Sequence, residues 1–67
     1  MQTFYVLRKV GTSSFAFELP HDFDEKNFVD GWENLRSRAL HWKTVEEAED
    51  AKASDPDGYA LTIEGVS

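Results

Sequence analysis

The chain lacks cysteine altogether, which excludes a disulfide framework and a thiolate zinc site as sources of stability. It also lacks any apolar run near the ~20 residues of a membrane span. Its start has neither the basic segment nor the apolar core of a signal peptide. A cytoplasmic location with no membrane partner is therefore expected, and the opening Met1 suggests a complete short gene product. Positive charge is scarce: seven Lys and Arg stand against thirteen Asp and Glu, a net charge of −6. That balance argues against a general phosphate-binding surface and favours solubility or a basic partner. Internal repeats and low-complexity tracts are absent.

What is present is one expected domain of 67 residues, 1–67. A chain this size buries roughly 60% of its unfolded surface, so its core is barely sufficient. Nine aromatic residues compensate, since each can bury on the order of 150–250 Å².

The stretch from Arg38 to Ser54 organises the reading. Leu40 and Trp42 alternate with Ala39, His41 and Lys43, which predicts a strand over Arg38–Lys43. At Thr44 the chemistry changes. Thr44-Val45-Glu46-Glu47 has the form of a capping box, with the Thr hydroxyl taking the Glu47 N–H and the Glu47 carboxylate reaching back. Glu46, Glu47, Glu49 and Asp50 gather at the positive end of the helix dipole, and Lys52 lies near its negative end. A helix over Val45–Ser54 is predicted, with a small inward face of Val45, Ala48 and Ala51 or Lys52.

Ahead of that corner, Gln2–Val10 reads as a strand with Phe4, Val6 and Val10 on one face and Thr3, Tyr5, Leu7 and Lys9 on the other. Gly11-Thr12-Ser13 has turn chemistry. Phe15, Phe17 and Leu19 alternate with Ser14, Ala16 and Glu18, so a second strand and a hairpin are expected. Pro20 ends it, having no N–H for a continuing ladder. From His21 to Ser37 the spacing of Phe28, Trp32 and Leu35 is helical, but Gly31 interrupts it at a cost of about 1 kcal/mol. The prediction is an excursion with one or two helical turns, whose Phe23, Phe28, Val29, Trp32 and Leu35 cover the sheet face the main helix leaves open. Asp55-Pro56-Asp57-Gly58 is a compact turn. Tyr59–Glu64 then forms a last strand with Tyr59, Leu61 and Ile63 facing the core. The whole predicts an α+β domain, β-β-β-α-β in order, with one helix on a mostly antiparallel sheet.

Tyr5-Val6-Leu7-Arg8, then Trp42-Lys43-Thr44-x-Glu46-Glu47-Ala48-Glu49, then an alternating C-terminal strand, together resemble small accessory proteins of phage and prophage genomes. The resemblance spans most of the chain but skips Pro20 to Ser37. It implies a hairpin, a short strand, one helix and a final strand, and a gene product that acts on a host protein in the bacterial cytoplasm. Its motifs are structural, so it brings no active-site residues.

Catalytic and metal chemistry find little footing. Asp55, Asp57, Gly58 and Glu64 fall on calcium-loop positions, but Ala53 would occupy the first ligand position and a strand follows where a helix should. His21 and His41 have no cysteine to complete a zinc set, and His41 reads as packing on a sheet face. Ser13, Ser14, His21 and Asp22 lack the context of a nucleophile motif and an oxyanion hole. No enzyme activity and no cofactor are expected.

Two binding readings are left. Arg8, Lys9, Arg36, Arg38 and Lys43, with Tyr5, Trp32 and Trp42, could form a basic aromatic stripe for nucleic acid; the carboxylate excess weighs against it. The carboxylates themselves form two groups. Glu46, Glu47, Glu49, Asp50, Asp55 and Asp57 are largely explained by the helix dipole and solvation. Asp22, Asp24, Glu25, Asp30 and Glu33 have no such helix to justify them. With Phe28 or Trp32 as anchor, they are the expected surface for a host protein with a basic patch; either aromatic would equally serve to close the core. Self-association is compatible with the same surface.

Overall fold

The computed structural model describes residues 3–19, 25–35 and 37–66. Strands β1 (Phe4–Lys9), β2 (Ser14–Ala16), β3 (Phe28–Asp30) and β4 (Leu61–Val66) and helix α1 (Val45–Ser54) are joined by 3-10 turns at Glu25–Asn27, Trp32–Asn34 and Gly58–Ala60. The strands form one antiparallel sheet in the order β3-β2-β1-β4. The α+β class with a single helix on a single sheet is thus as expected.

The hairpin forms where turn chemistry places it. Gly11 adopts φ +80°, a region glycine enters without a Cβ penalty. The Thr12 hydroxyl donates to the Lys9 carbonyl (2.8 Å) and accepts the Ser14 N–H (3.1 Å). β2 is shorter than its alternation suggests, ending at Ala16 rather than Leu19.

The third strand is the main correction. It is Phe28–Asp30, paired with β2 in the register Ser14↔Asp30, Phe15↔Val29, Ala16↔Phe28. Helical spacing of Phe28, Trp32 and Leu35 cannot be realised, because Gly31 turns the chain at φ +89°. The helical turns expected in this region are both short 3-10 turns. Segment 38–43, expected as a strand, makes a single bridge, Trp42 to Tyr5. Its start is held in a turn, Arg38 and Ala39 both donating to the Asn34 carbonyl (3.0 and 3.1 Å). Leu40 then donates to Ala16 (2.9 Å), and Trp42 exchanges both backbone bonds with Tyr5 (2.8 and 2.9 Å). The alternating residues wedge into the space beside β1 where β2 has already ended.

Strand alternation sorts the core onto two faces. Leu7, Ala16 and Leu61 are buried on one, with Phe28, Trp42, Ala51 and Ile63 against them. Helix α1 lies over this face and buries Ala48. Its small side chains allow close approach, although Val45, expected to point inward, is exposed. The other face buries Val6, Phe15 and Val29 under Leu35 and Ala39 of the 31–40 segment, with Phe4, Phe17 and Val66 alongside. Phe28 and Val29, expected to cover that open face, are themselves part of the sheet; Phe23 lies outside the described residues.

The helix begins as its cap dictates. The Thr44 Oγ1 accepts the Glu47 N–H at 3.2 Å and lies 3.3 Å from the Glu47 carboxylate. At the other end the Asp55 N–H donates to Lys52 (3.2 Å), and the Asp55 carboxylate accepts the Asp57 N–H (2.8 Å). Gly58 packs so tightly behind this end that a Cβ would stand 2.1 Å from the Lys52 carbonyl oxygen. That turn takes Tyr59 out of the last strand, while Leu61 and Ile63 face the core as expected. Tyr59 is 83% exposed instead of facing the core, and β4 runs Leu61–Val66.

Candidate functional site

The residues expected to form a recognition surface are only partly brought together. Asp22 and Asp24 lie outside the described residues, as do the side chains of Glu25 and Trp32. Asp30, exposed at the end of β3, accepts the Ser14 hydroxyl through its carboxylate and the Asn34 amide through its carbonyl. Gly31 donates to Ser13 (3.3 Å) and accepts from Asn34 (3.3 Å), which fixes the corner between β3 and the next 3-10 turn. Glu33 is exposed and folds back over that corner; a methyl at Gly31 would meet both of its carboxylate oxygens at 2.7 Å. Asp30 and Glu33 therefore share one acidic corner at the β3 edge.

Phe28 does not serve that corner as an exposed anchor. It is half-buried against Leu7, Ala16 and Leu61, with the Lys9 ammonium 5.5 Å from its ring centroid. Its aromatic surface is spent on the core.

The basic stripe is not continuous. Arg8 and Lys9 are neighbours in β1 and so point to opposite faces of the sheet. Arg8 binds the Glu64 carboxylate (2.7 Å) and the Thr12 carbonyl (3.0 Å), and Arg38 sits 6.0 Å over Phe17. Trp42 packs in the core beside α1, and Tyr5 lies across Gly65. Lys43 is exposed beside the helix cap, and Arg36 lies outside the described residues.

The calcium-like spacing is dismantled by the fold. Glu64 belongs to the face opposite α1, where it pairs with Arg8. Asp55 is buried in its own turn. Among the described residues, no three His, Cys, Asp or Glu side chains gather as a metal site would require. His41 stacks edge-on against Phe4, with centroids 5.3 Å apart, in keeping with packing; His21 lies outside the described residues.

No family model, curated protein or solved structure matches the chain. The site must be read from this molecule's own chemistry.

One feature escapes the sequence pattern. A cleft of about 390 Å³ opens between the C-terminal half of α1, the Gly58–Ala60 turn and β4, lined by Glu49, Lys52, Ala53, Asp55, Gly58, Tyr59 and Ile63. The Asp-Pro-Asp-Gly turn marks its position in the sequence. Strict alternation of Tyr59, Leu61 and Ile63 hides the exposed tyrosine, because the 3-10 turn breaks the strand phase.

Proposed function

We propose that this chain is a small acidic, non-enzymatic protein-binding module that engages a basic patch on another protein. In the phage setting that the sequence resemblance implies, it would inhibit or modulate a host factor, such as a defence or nucleic-acid-handling protein. The observation that carries this reading is the unequal use of charge. Asp30, Glu33, Glu46, Glu47, Glu49 and Asp50 are exposed, while Arg8, Lys9 and Arg38 are engaged with groups of the same chain. Lys26 and Lys43 are exposed as well, but carboxylates outnumber them on the surface, which attracts positive partners and repels phosphate.

The acidic corner at Asp30 and Glu33, with Asp22, Asp24 and Glu25, is the proposed contact. Charged residues of this kind act mainly on association rate and salt dependence. The test is capture of a partner from bacterial lysate by the wild-type chain, followed by the same capture with Asp22, Asp24, Glu25 and Glu33 changed to Lys and Asp30 to Asn. Asparagine keeps an acceptor for Ser14. The variant should retain its circular dichroism spectrum and lose the partner, and wild-type binding should weaken as salt rises. Undiminished capture by the folded variant, or robust binding of wild type to DNA or RNA in low-salt gel shifts, would overturn the reading.

A further inference from the structure

The two edges of the sheet are unlike. β3 is three residues long and ends at the Gly31 corner, whereas β4 runs for six residues along the opposite edge. Natural edges are usually blunted by lysine, proline, a bulge or a covering segment. β4 reads Leu-Thr-Ile-Glu-Gly-Val, and its one charge, Glu64, is bound to Arg8.

Backbone parity shows what this edge offers. Tyr5 exchanges both of its backbone bonds with Trp42, so its N–H and C=O point away from β4. Its partner Gly65 is thus in a non-hydrogen-bonded pair, and the polar groups of Gly65 point outward. Val10 donating to Ala60 (3.0 Å) fixes the same parity at the other end. Ile63, opposite Leu7, therefore points its N–H and C=O outward as well. Among the described residues no strand pairs with this edge.

From this arrangement we infer that β4 accepts an extended basic segment of another protein as a fifth strand, with a Lys or Arg side chain seated in the Tyr59 cleft. Main-chain bonds to Ile63 and Gly65 supply the attachment. Cross-strand partners share a face, so the residue opposite Ile63 points to the helix side, where the cleft lies. At about 390 Å³ the cleft is near the lower end of small-molecule pockets, roughly 300–1,000 Å³, and suits one or two side chains. Glu49 and Asp55 outnumber Lys52 on its walls, and the exposed Tyr59 ring can face a cation. Charge also decides against a second copy as occupant, since each copy carries −6.

This site is at the opposite edge from the Asp30–Glu33 corner, and either can fail without the other. The test uses the whole ¹⁵N-labelled chain at physiological salt. Probes are a blocked hexapeptide of alternating Val and Arg, its Val–Glu counterpart, and a Val–Arg version with two central prolines. The Val–Arg peptide should shift the amides of Ile63 and Gly65 and slow their hydrogen exchange, with the other two binding at least tenfold more weakly. Glu49→Lys should weaken the Val–Arg peptide several-fold, and Tyr59→Ala, at an exposed position, should do so without altering the fold. The Asp22–Glu33 charge variant should bind it as wild type does. The inference is overturned if the proline peptide binds equally, if shifts are confined to residues 46–50, or if neither Ile63 nor Gly65 responds at millimolar peptide. Shifts at these amides that grow with protein concentration alone would also overturn it, in favour of self-pairing.

Discussion

The two faces of the sheet are closed by different means. On one, a capped helix buries Ala48 and packs Ala51 against the cluster of Leu7, Ala16 and Leu61. On the other, an irregular segment between residues 31 and 40 lowers Leu35 and Ala39 onto Val6, Phe15 and Val29. The helix is specified within itself, by a hydroxyl and an N–H three residues apart. The irregular cover is specified by distant partners, Ser13 for Gly31 and Ala16 for Leu40. A face closed by irregular chain depends more heavily on each apolar side chain, because no repeating backbone bonds hold the cover in place.

The largest expected effect tests that dependence directly. Leu35→Ala should cost about 2–5 kcal/mol, a large share of the roughly 5–15 kcal/mol typical of a native domain. Chemical denaturation measures it; a cost below ~1 kcal/mol would mean the segment is not what closes that face. Next is Gly58→Ala, behind the helix end. A methyl group 2.1 Å from the Lys52 carbonyl oxygen must displace backbone, and overpacking of this kind costs about 1–3 kcal/mol. Unchanged stability would show that the turn yields freely and that the helix face is the softer one.

Thr44→Ala should remove about 1 kcal/mol, read as a fall in Tm of roughly 4–8 °C in so small a domain. An unchanged Tm would mean that the cap does not set the helix start. The smallest effect is expected from Glu64→Gln. The Arg8–Glu64 pair is partly exposed, at 28% and 29% of side-chain surface, so its loss should cost about 0–1 kcal/mol. That difference should shrink further in high salt, where exposed charges are screened.

The same contrast governs what could be read from the chain alone. Thr44, Glu47 and the hairpin glycine Gly11 announce their roles through near neighbours, and the helix bounds Val45–Ser54 are those the pattern predicts. Leu40 and Trp42 carry a genuine strand alternation. What no local pattern contains is that β2 stops at Ala16, leaving room for one bridge only. Phe28 was ambiguous for a related reason, since its helical spacing to Trp32 and Leu35 is cancelled by the backbone of Gly31. Of the proposed acidic surface, Asp30 and Glu33 do come together at that glycine corner. The Tyr59 cleft is illegible in the sequence because a single 3-10 turn removes the tyrosine from the strand alternation and leaves its ring exposed.

The pairing of β1 with β4 also bears on how fast this protein can fold. Phe4 lies opposite Val66, and Lys9 opposite Leu61, so the longest ladder in the sheet joins the first strand to the last. Contacts so far apart in sequence demand loop-closure entropy before they return any stability, and folding slows as such contacts dominate. Without residues 61–66, β1 has only a three-residue β2 and the Trp42 bridge beside it. Until β4 docks, β1 is left as an exposed edge on that side.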